Sequence, residues 1–316
     1  MKKILSYMLV GAALLCLGCN GEDDLTPQVD TSSIYEKYIV ENATRSSADS
    51  TIYEWYKKYN TAFIYNFTDD DIRWMWASKL AIRYTPFDIE RTDMILKQLN
   101  LIKTSFLDKY DEDFLRKNLP YKVFLVKDLQ SMEGSLSYSY VSAMTNNQDA
   151  ILVAYLQSTG RAYSASTLEA DLGNCFGMFF YNRLEVKPTK FINSRVKLNY
   201  NLVTTPQDPN IEEELKIRPD FSNTDHYAMV CGFVKAYLPT HVKEPTEVQD
   251  FTDYLTFITQ NKGSYIRQRT QFYKRVAKRG TYFIEYYRDA LGQDLIAMQN
   301  AKFPDDPVTM ADFNFQ

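Results

Sequence analysis

Seven consecutive apolar residues, Ala150-Ile-Leu-Val-Ala-Tyr-Leu156, constrain this chain more than any other stretch. A run of that length bounded by polar segments reads as a β-strand covered on both faces, because a strand with one wet face would alternate. The next periodic stretch supplies a cover. Ser166-Thr-Leu-Glu169 has the form of a capping box, and Leu168, Leu172, Cys175 and Phe179 recur every three or four residues, so a buried helix is expected from about Ser166 to Leu184.

The rest of the chain adds elements on both sides of this pair. Ser50 to Tyr59 reads as a short helix leading into a strand, Thr61 to Phe67, which Asp69-Asp-Asp71 interrupts. Ile95, Leu99, Ile102 and Phe106 form one helical stripe between Ile89 and Tyr110, Glu112 to Lys117 adds a turn before Pro120, and Tyr121 to Val126 is a strand. Ser131 to Asn147 is polar and rich in Ser and Tyr, and is expected to be a loop. Thr204 to Asp225, with Pro206, Pro209 and Pro219, is expected to be a long surface loop. Val248, Phe251, Leu255 and Ile258 mark an amphipathic helix from Thr246 to Thr259, with Pro245 just before it. A final long helix spans about Ser264 to Leu291. It turns Phe272, Val276, Phe283 and Tyr287 inward and presents Arg267, Arg269, Lys274, Arg275, Lys278 and Arg279 as a solvated face, with Gly280 as its weak point. There is no internal repeat. The expectation is one α+β domain over residues 34–316: a small mixed sheet packed on several helices, with a long C-terminal helix.

The N-terminus carries an address. Lys2 and Lys3 precede the apolar run Ile4 to Leu17 and then Gly18-Cys19, the layout of a secretory signal over residues 1–18. Its Leu-Gly-Cys end resembles a bacterial lipobox, which implies cleavage before Cys19 and acylation of that thiol, palmitate included. Cys16 stands where an aliphatic residue is usual, and an ordinary secretory signal with a chance cysteine is the competing reading. Residues 19–33 are polar and without period, as a flexible tether would be. Their acidic cluster, Glu22-Asp-Asp24, resembles the export signal of surface-exposed Bacteroidetes lipoproteins. That favours a lipid anchor on the outer face of the outer membrane, with the periplasmic leaflet still open.

Removing residues 1–18 takes away two lysines and no acid, so the formal net charge of −4 becomes more negative. Such a surface has no general attraction to nucleic acid or anionic lipid. No second apolar run of about 20 residues is present to span a membrane. Besides Cys19, maturation leaves Cys175 and Cys231. These could pair in an oxidising compartment, yet both sit in apolar surroundings where a free cysteine packs as a small hydrophobe.

The order of several short segments resembles a known family: the zinc-binding metallopeptidase lipoproteins of Bacteroidetes, also described as substrate import-associated zinc metallohydrolase lipoproteins. Ile52-Tyr-Glu-Trp-Tyr-Lys-Lys-Tyr-Asn60 before a Tyr/Phe strand looks like the family's opening. Pro188-Thr-Lys-Phe191 is similar to its Pro-Thr-Glu-Phe after a His-Glu-Phe-x-His helix. Gly232-Phe-Val-Lys-Ala-Tyr237, Gln249-Asp-Phe-Thr-Asp253 and Gly292-Gln-Asp-Leu295 resemble three later segments. The resemblance implies a zincin-like metallopeptidase scaffold in which the buried helix carries His-Glu-x-x-His. There the two histidines, four apart, face one zinc ion and the glutamate polarises its water.

In this chain those three positions are Cys175, Phe176 and Phe179, and the two acids of the later helix fall on Gln249 and Asp253. Cysteine is a soft ligand, whereas phenylalanine offers zinc no lone pair and water no base. The chain has two histidines, His226 and His241. A site rebuilt from Cys175, one of these histidines and Asp250 is conceivable by donor type, but an isolated histidine in a loop is usually a surface residue. His226 beside Asp225 has no serine or cysteine placed by a recognisable nucleophile motif. No catalytic residue and no cofactor are therefore expected, zinc entering only if the site is rearranged.

The 24 tyrosines, 19 phenylalanines and 3 tryptophans raise a binding reading, since flat rings with polar edges grip sugars and peptide side chains. Trp74-Met-Trp76 and Ser137-Tyr-Ser-Tyr-Val141 are candidate surfaces, with core packing the plainer reading for any one ring. Together these features point to a non-enzymatic lipoprotein, accessory to a TonB-dependent nutrient-import system, with an outer-membrane receptor, a neighbouring binding lipoprotein and a peptide or glycan as candidate partners. The alternatives are an active zinc metallohydrolase with a rearranged site and a purely structural subunit of the import complex.

Overall fold

The computed structural model describes residues 46–73, 82–133, 137–145, 150–196, 223–235 and 244–314. These all belong to one compact unit, Tyr38–Gln316. Cys19, the tether, Trp74, Trp76, His241 and most of the proline-rich stretch after Thr204 lie outside the described residues.

The apolar run forms the strand expected of it. Strand β7 (Ala150–Ala154) is buried throughout and pairs in parallel with β3 (Lys122–Val126), which pairs in parallel with β1 (Ala62–Ile64). The short strand β6 (Ala143–Thr145) runs antiparallel along the other side of β7 and completes the small mixed sheet β1-β3-β7-β6. Helix α1 (Ser47–Tyr59), capped by Ser46, leads into β1, and Trp55 of α1 packs edge-on against Phe63 of β1 at 4.9 Å. The short α2 (Asp69–Arg73) follows. Helix α3 (Thr92–Ser105) buries its expected stripe Ile95, Leu99 and Ile102, continues as a 3-10 turn (Leu107–Lys109), and is followed by α4 (Glu112–Asn118).

Ser131 to Asn147 is not the loop its polarity suggests. Strands β2 (Ile82–Thr85), β4 (Asp128–Glu133) and β5 (Ser137–Tyr140) form a separate antiparallel sheet, and β6 lies in the same stretch. Serine, threonine and tyrosine suit a sheet with one wet face: Ile82 and Leu129 point inward, while their neighbours Arg83 and Gln130, paired across the strands, are more exposed.

Helix α5 (Ala165–Arg183) covers the sheet, packing most closely on β6. Its N-cap is Ser164, not Ser166: Ser164 is extended (φ −69°, ψ 151°) and its Oγ accepts from the Thr167 amide at 3.1 Å. Ser166 already lies within the first turn, and Glu169 is released for other contacts. After α6 (Thr189–Asn193) and α7 (Asn223–Val230) comes α8 (Glu247–Thr259), which opens with a true capping box between Thr246 and Gln249.

The expected long final helix is two helices, α9 (Gly263–Phe272) and α10 (Lys274–Leu291), broken at Tyr273 and not at Gly280. Tyr273 is extended (φ −110°, ψ 97°) and its hydroxyl bonds His226 Nδ1 at 2.9 Å, a tertiary demand that helical periodicity does not record. Gly280 stays helical and serves close approach: a Cβ there would lie 2.6 Å from the Phe313 ring. Phe272, expected inward, is 38% exposed. Helix α11 (Leu295–Lys302) and a 3-10 turn (Met310–Phe313) close the chain. No helix among the described residues is long and apolar enough to cross a membrane.

Candidate functional site

The positions that the resemblance assigns to hydrolytic chemistry lie on α5 and α8. Cys175 is buried with a free thiol, and Cys231 is buried as well. Burial pushes the Cys175 thiol up to about 12, with the nearby Asp171 carboxylate adding to the shift. A thiol held in that state is a packing group and a poor metal ligand.

Phe176 is fully buried in an aromatic cluster. Its ring stacks on Phe180 at 5.7 Å and meets Phe106 and Phe114 edge-on at 5.2 and 6.0 Å. The cluster continues from Phe180 to Phe251 of α8 and Tyr287 of α10. Where the family resemblance places a general base, this chain has a ring packed into a cluster that reaches α4, α5, α8 and α10. Phe179 is likewise buried, with the Arg183 guanidinium 4.9 Å from its centroid.

On α8, Gln249 is committed to the helix start: its Oε1 accepts from the Thr246 amide at 2.9 Å. Asp253 is largely buried, with Lys235 Nζ at 3.9 Å. The two helices meet through other residues. A Cβ on Gly177 would lie 2.8 Å from Thr252 Cγ2, and Thr256 Oγ1 bonds Asn174 Oδ1 at 3.1 Å. Cys175 is two residues from Gly177 and so about 200° around the helix from it. The stripe of Cys175 and Phe179 therefore faces away from α8, and the structure does not bring it together with Gln249 and Asp253.

Asp250, weighed above as a ligand, is used elsewhere. Its side chain, 2% exposed, accepts Arg279 Nη1 at 3.1 Å and Nη2 on the second oxygen, together with Arg195 Nε at 2.9 Å. Arg279, expected on the solvated face of the last helix, is 1% exposed. It also donates to the Gly232 carbonyl at 2.6 Å and lies 4.3 Å from the Phe191 ring centroid and 5.3 Å from that of Phe233. Gly232 has φ +87°, and a Cβ there would sit 3.0 Å from Arg279 Cδ, so both its backbone and its neighbour call for glycine. Three of the segments that carry the resemblance, ending in Phe191, beginning at Gly232 and containing Asp250, thus converge on one buried cation. In the sequence the charge of Arg279 reads as exposure. Its spacing, three after Val276 and four before Phe283, puts it on the apolar stripe.

The remaining pieces are structural too. Gly292 (φ +68°) ends α10, Gln293 Nε2 donates to Asp111 Oδ2 at 3.0 Å, and Asp294 caps α11. His226 is not a surface loop residue: it lies on α7, is 6% exposed, and bonds Tyr273. Among the described residues no three His, Cys, Asp or Glu side chains are grouped to hold a metal ion. The donor set does not fit a zinc site of the family's kind, since two of the three motif positions on α5 are rings.

A wide groove, about 1290 Å³, lies between α4 and the C-terminal ends of α5 and α10. Asp113, Lys117, Arg183, Glu185, Val186 and Tyr286 are among its walls, and Val186 is 69% exposed. None of Cys175, Phe176, Phe179, Gln249 or Asp253 lines it.

No family model matches the chain, and no curated protein does. A crystal structure of a candidate zinc-binding metallo-peptidase from Bacteroides caccae superposes with a TM-score of 0.49 at 10% sequence identity, over 84% of this chain and 93% of that one.

Proposed function

We propose that this chain is an outer-membrane, surface-exposed lipoprotein whose metallopeptidase-like domain has lost hydrolytic chemistry and serves a TonB-dependent nutrient-import system by binding a peptide, a glycan or a partner receptor. The observation that carries the loss of chemistry is Phe176, buried in the ring cluster where the resemblance calls for a general base. The lipobox-like Leu17-Gly-Cys19, the acidic Glu22-Asp-Asp24 and the order of the five family-like segments support the location and the pathway. The groove beside α4, with both charge signs, an exposed valine and a tyrosine, is a described surface with room for an extended ligand.

The test has three measurements. Palmitate labelling and protease shaving of cells should show a lipidated, surface-accessible protein, and Cys19→Ala should abolish both labelling and membrane association. Elemental analysis of the purified protein should find no stoichiometric zinc. Affinity purification from cells should recover an outer-membrane receptor. Stoichiometric zinc together with peptidase activity would replace this reading with the active-enzyme alternative. A receptor complex that binds no peptide or glycan would leave only the structural-subunit role.

A further inference from the structure

We infer that a small, partly open cavity between α3, α5, α8 and α11 is a binding site for one ordered water molecule, held by Ser105 Oγ and the Glu169 carboxylate of helix α5. Ser105 is the last residue of α3 and is 2% exposed, and its Oγ has no hydrogen-bond partner in the protein. A serine in a helix can ordinarily satisfy its hydroxyl by bonding the carbonyl one turn back. The neighbouring Thr104 does so, to the Asn100 carbonyl at 3.0 Å, and Ser105 does not. A buried hydroxyl left without a partner is costly, and ordered water is the common remedy where there is room.

There is room for one molecule. The cavity measures about 20 Å³ and is lined by Ser105 together with Tyr110, Glu169, Thr256, Gln260 and Met298, among others. A water needs ~10–15 Å³ of such space and two to four polar partners. Glu169 offers the second partner: one oxygen accepts Gln260 Nε2 at 3.0 Å and the other Lys302 Nζ at 2.8 Å, and each keeps a free lone pair. The water would donate to Glu169 and exchange a hydrogen bond with Ser105, tying the end of α3 to the N-terminal part of α5. A cation is disfavoured there, since Lys302 and, at 3.9 Å, Lys109 already neutralise Glu169. An anion would face the carboxylate. This site stands independently of the proposed import role.

A high-resolution crystal structure of the full chain should show one solvent peak within ~2.6–3.2 Å of Ser105 Oγ and of a second polar wall atom. Water-proton or oxygen-17 relaxation dispersion should count one long-lived water fewer in Ser105→Val than in wild type, the added methyls filling the space, with the far-UV circular dichroism unchanged. Ser105→Ala, which keeps the space and removes one partner, should shorten the residence time. The inference is overturned if the wild-type cavity shows no peak, if Ser105 Oγ turns onto the Leu101 carbonyl, or if the dispersion amplitude is the same in wild type and Ser105→Val.

Discussion

Arg279 of α10 and Asp250 of α8 form a two-pronged ion pair, with side chains 1% and 2% exposed, and Arg195 approaches the same carboxylate from the end of α6. Two cations around one carboxylate in the interior are held by more than charge. The Gly232 carbonyl and the rings of Phe191, Phe233 and Tyr254 surround the Arg279 guanidinium. A planar, five-donor group suits this geometry, and a lysine would not.

Removing one partner should therefore strand the other, so that the two losses do not add. Arg279→Met is expected to destabilise the fold by about 3–5 kcal/mol in urea titration, since it leaves a buried carboxylate with only Arg195. Arg279→Lys should recover little of this. Arg279→Met combined with Asp250→Leu should cost less than the sum of the single changes, and strict additivity would show that the pair is not coupled.

The contact between α5 and α8 makes a prediction from two glycines on one helix. Gly177→Ala would press a methyl to 2.8 Å from Thr252 Cγ2 and should destabilise by about 1–3 kcal/mol. Gly173→Ala meets nothing within 4 Å and should stabilise by about 0.5–1 kcal/mol through helix propensity. Thermal denaturation of the two variants should shift in opposite directions.

The aromatic cluster gives a third. Phe176→Ala should cost about 3–5 kcal/mol, as expected for emptying a filled core site. Phe176→Glu should cost more, because it buries a carboxylate among rings. Neither should produce zinc binding by calorimetry. A glutamate variant as stable as wild type would mean that position 176 reaches solvent.

Stability should fall at alkaline pH. Burial holds Cys175, Tyr163 and Tyr286 at about 12, against ordinary values of 9 for the thiol and 10 for the phenols. Between the ordinary and raised values the unfolded chain has released these protons and the folded chain still binds them, so unfolding becomes easier as pH rises. Their contribution is complete below about pH 9 and lost by about pH 12. Unfolding followed by circular dichroism, with tyrosine ionisation read near 295 nm, should show the two moving together. In a chain with Cys16 and Cys19 changed to serine, a thiol reagent at pH 8 should label neither Cys175 nor Cys231 until denaturant is added.

The sequence by itself determined the parts whose signal is local. Seven apolar residues in a row made β7 a covered strand, Thr246 with Gln249 three residues on made the start of α8, and Phe at positions 176 and 179 can act neither as a base nor as a metal donor, because a side chain's chemistry does not depend on where it lies. Only the tertiary structure decided what long-range contacts impose. It paired residues 128–133, 137–140 and 143–145 into strands, broke the last helix at Tyr273 for the sake of His226, and turned the stripe of Cys175 and Phe179 away from α8. It also buried Arg279, which reads in the sequence as a surface charge. Partners from three separate segments compensate that burial, and pattern within one helix carries no record of partners 29 to 88 residues away.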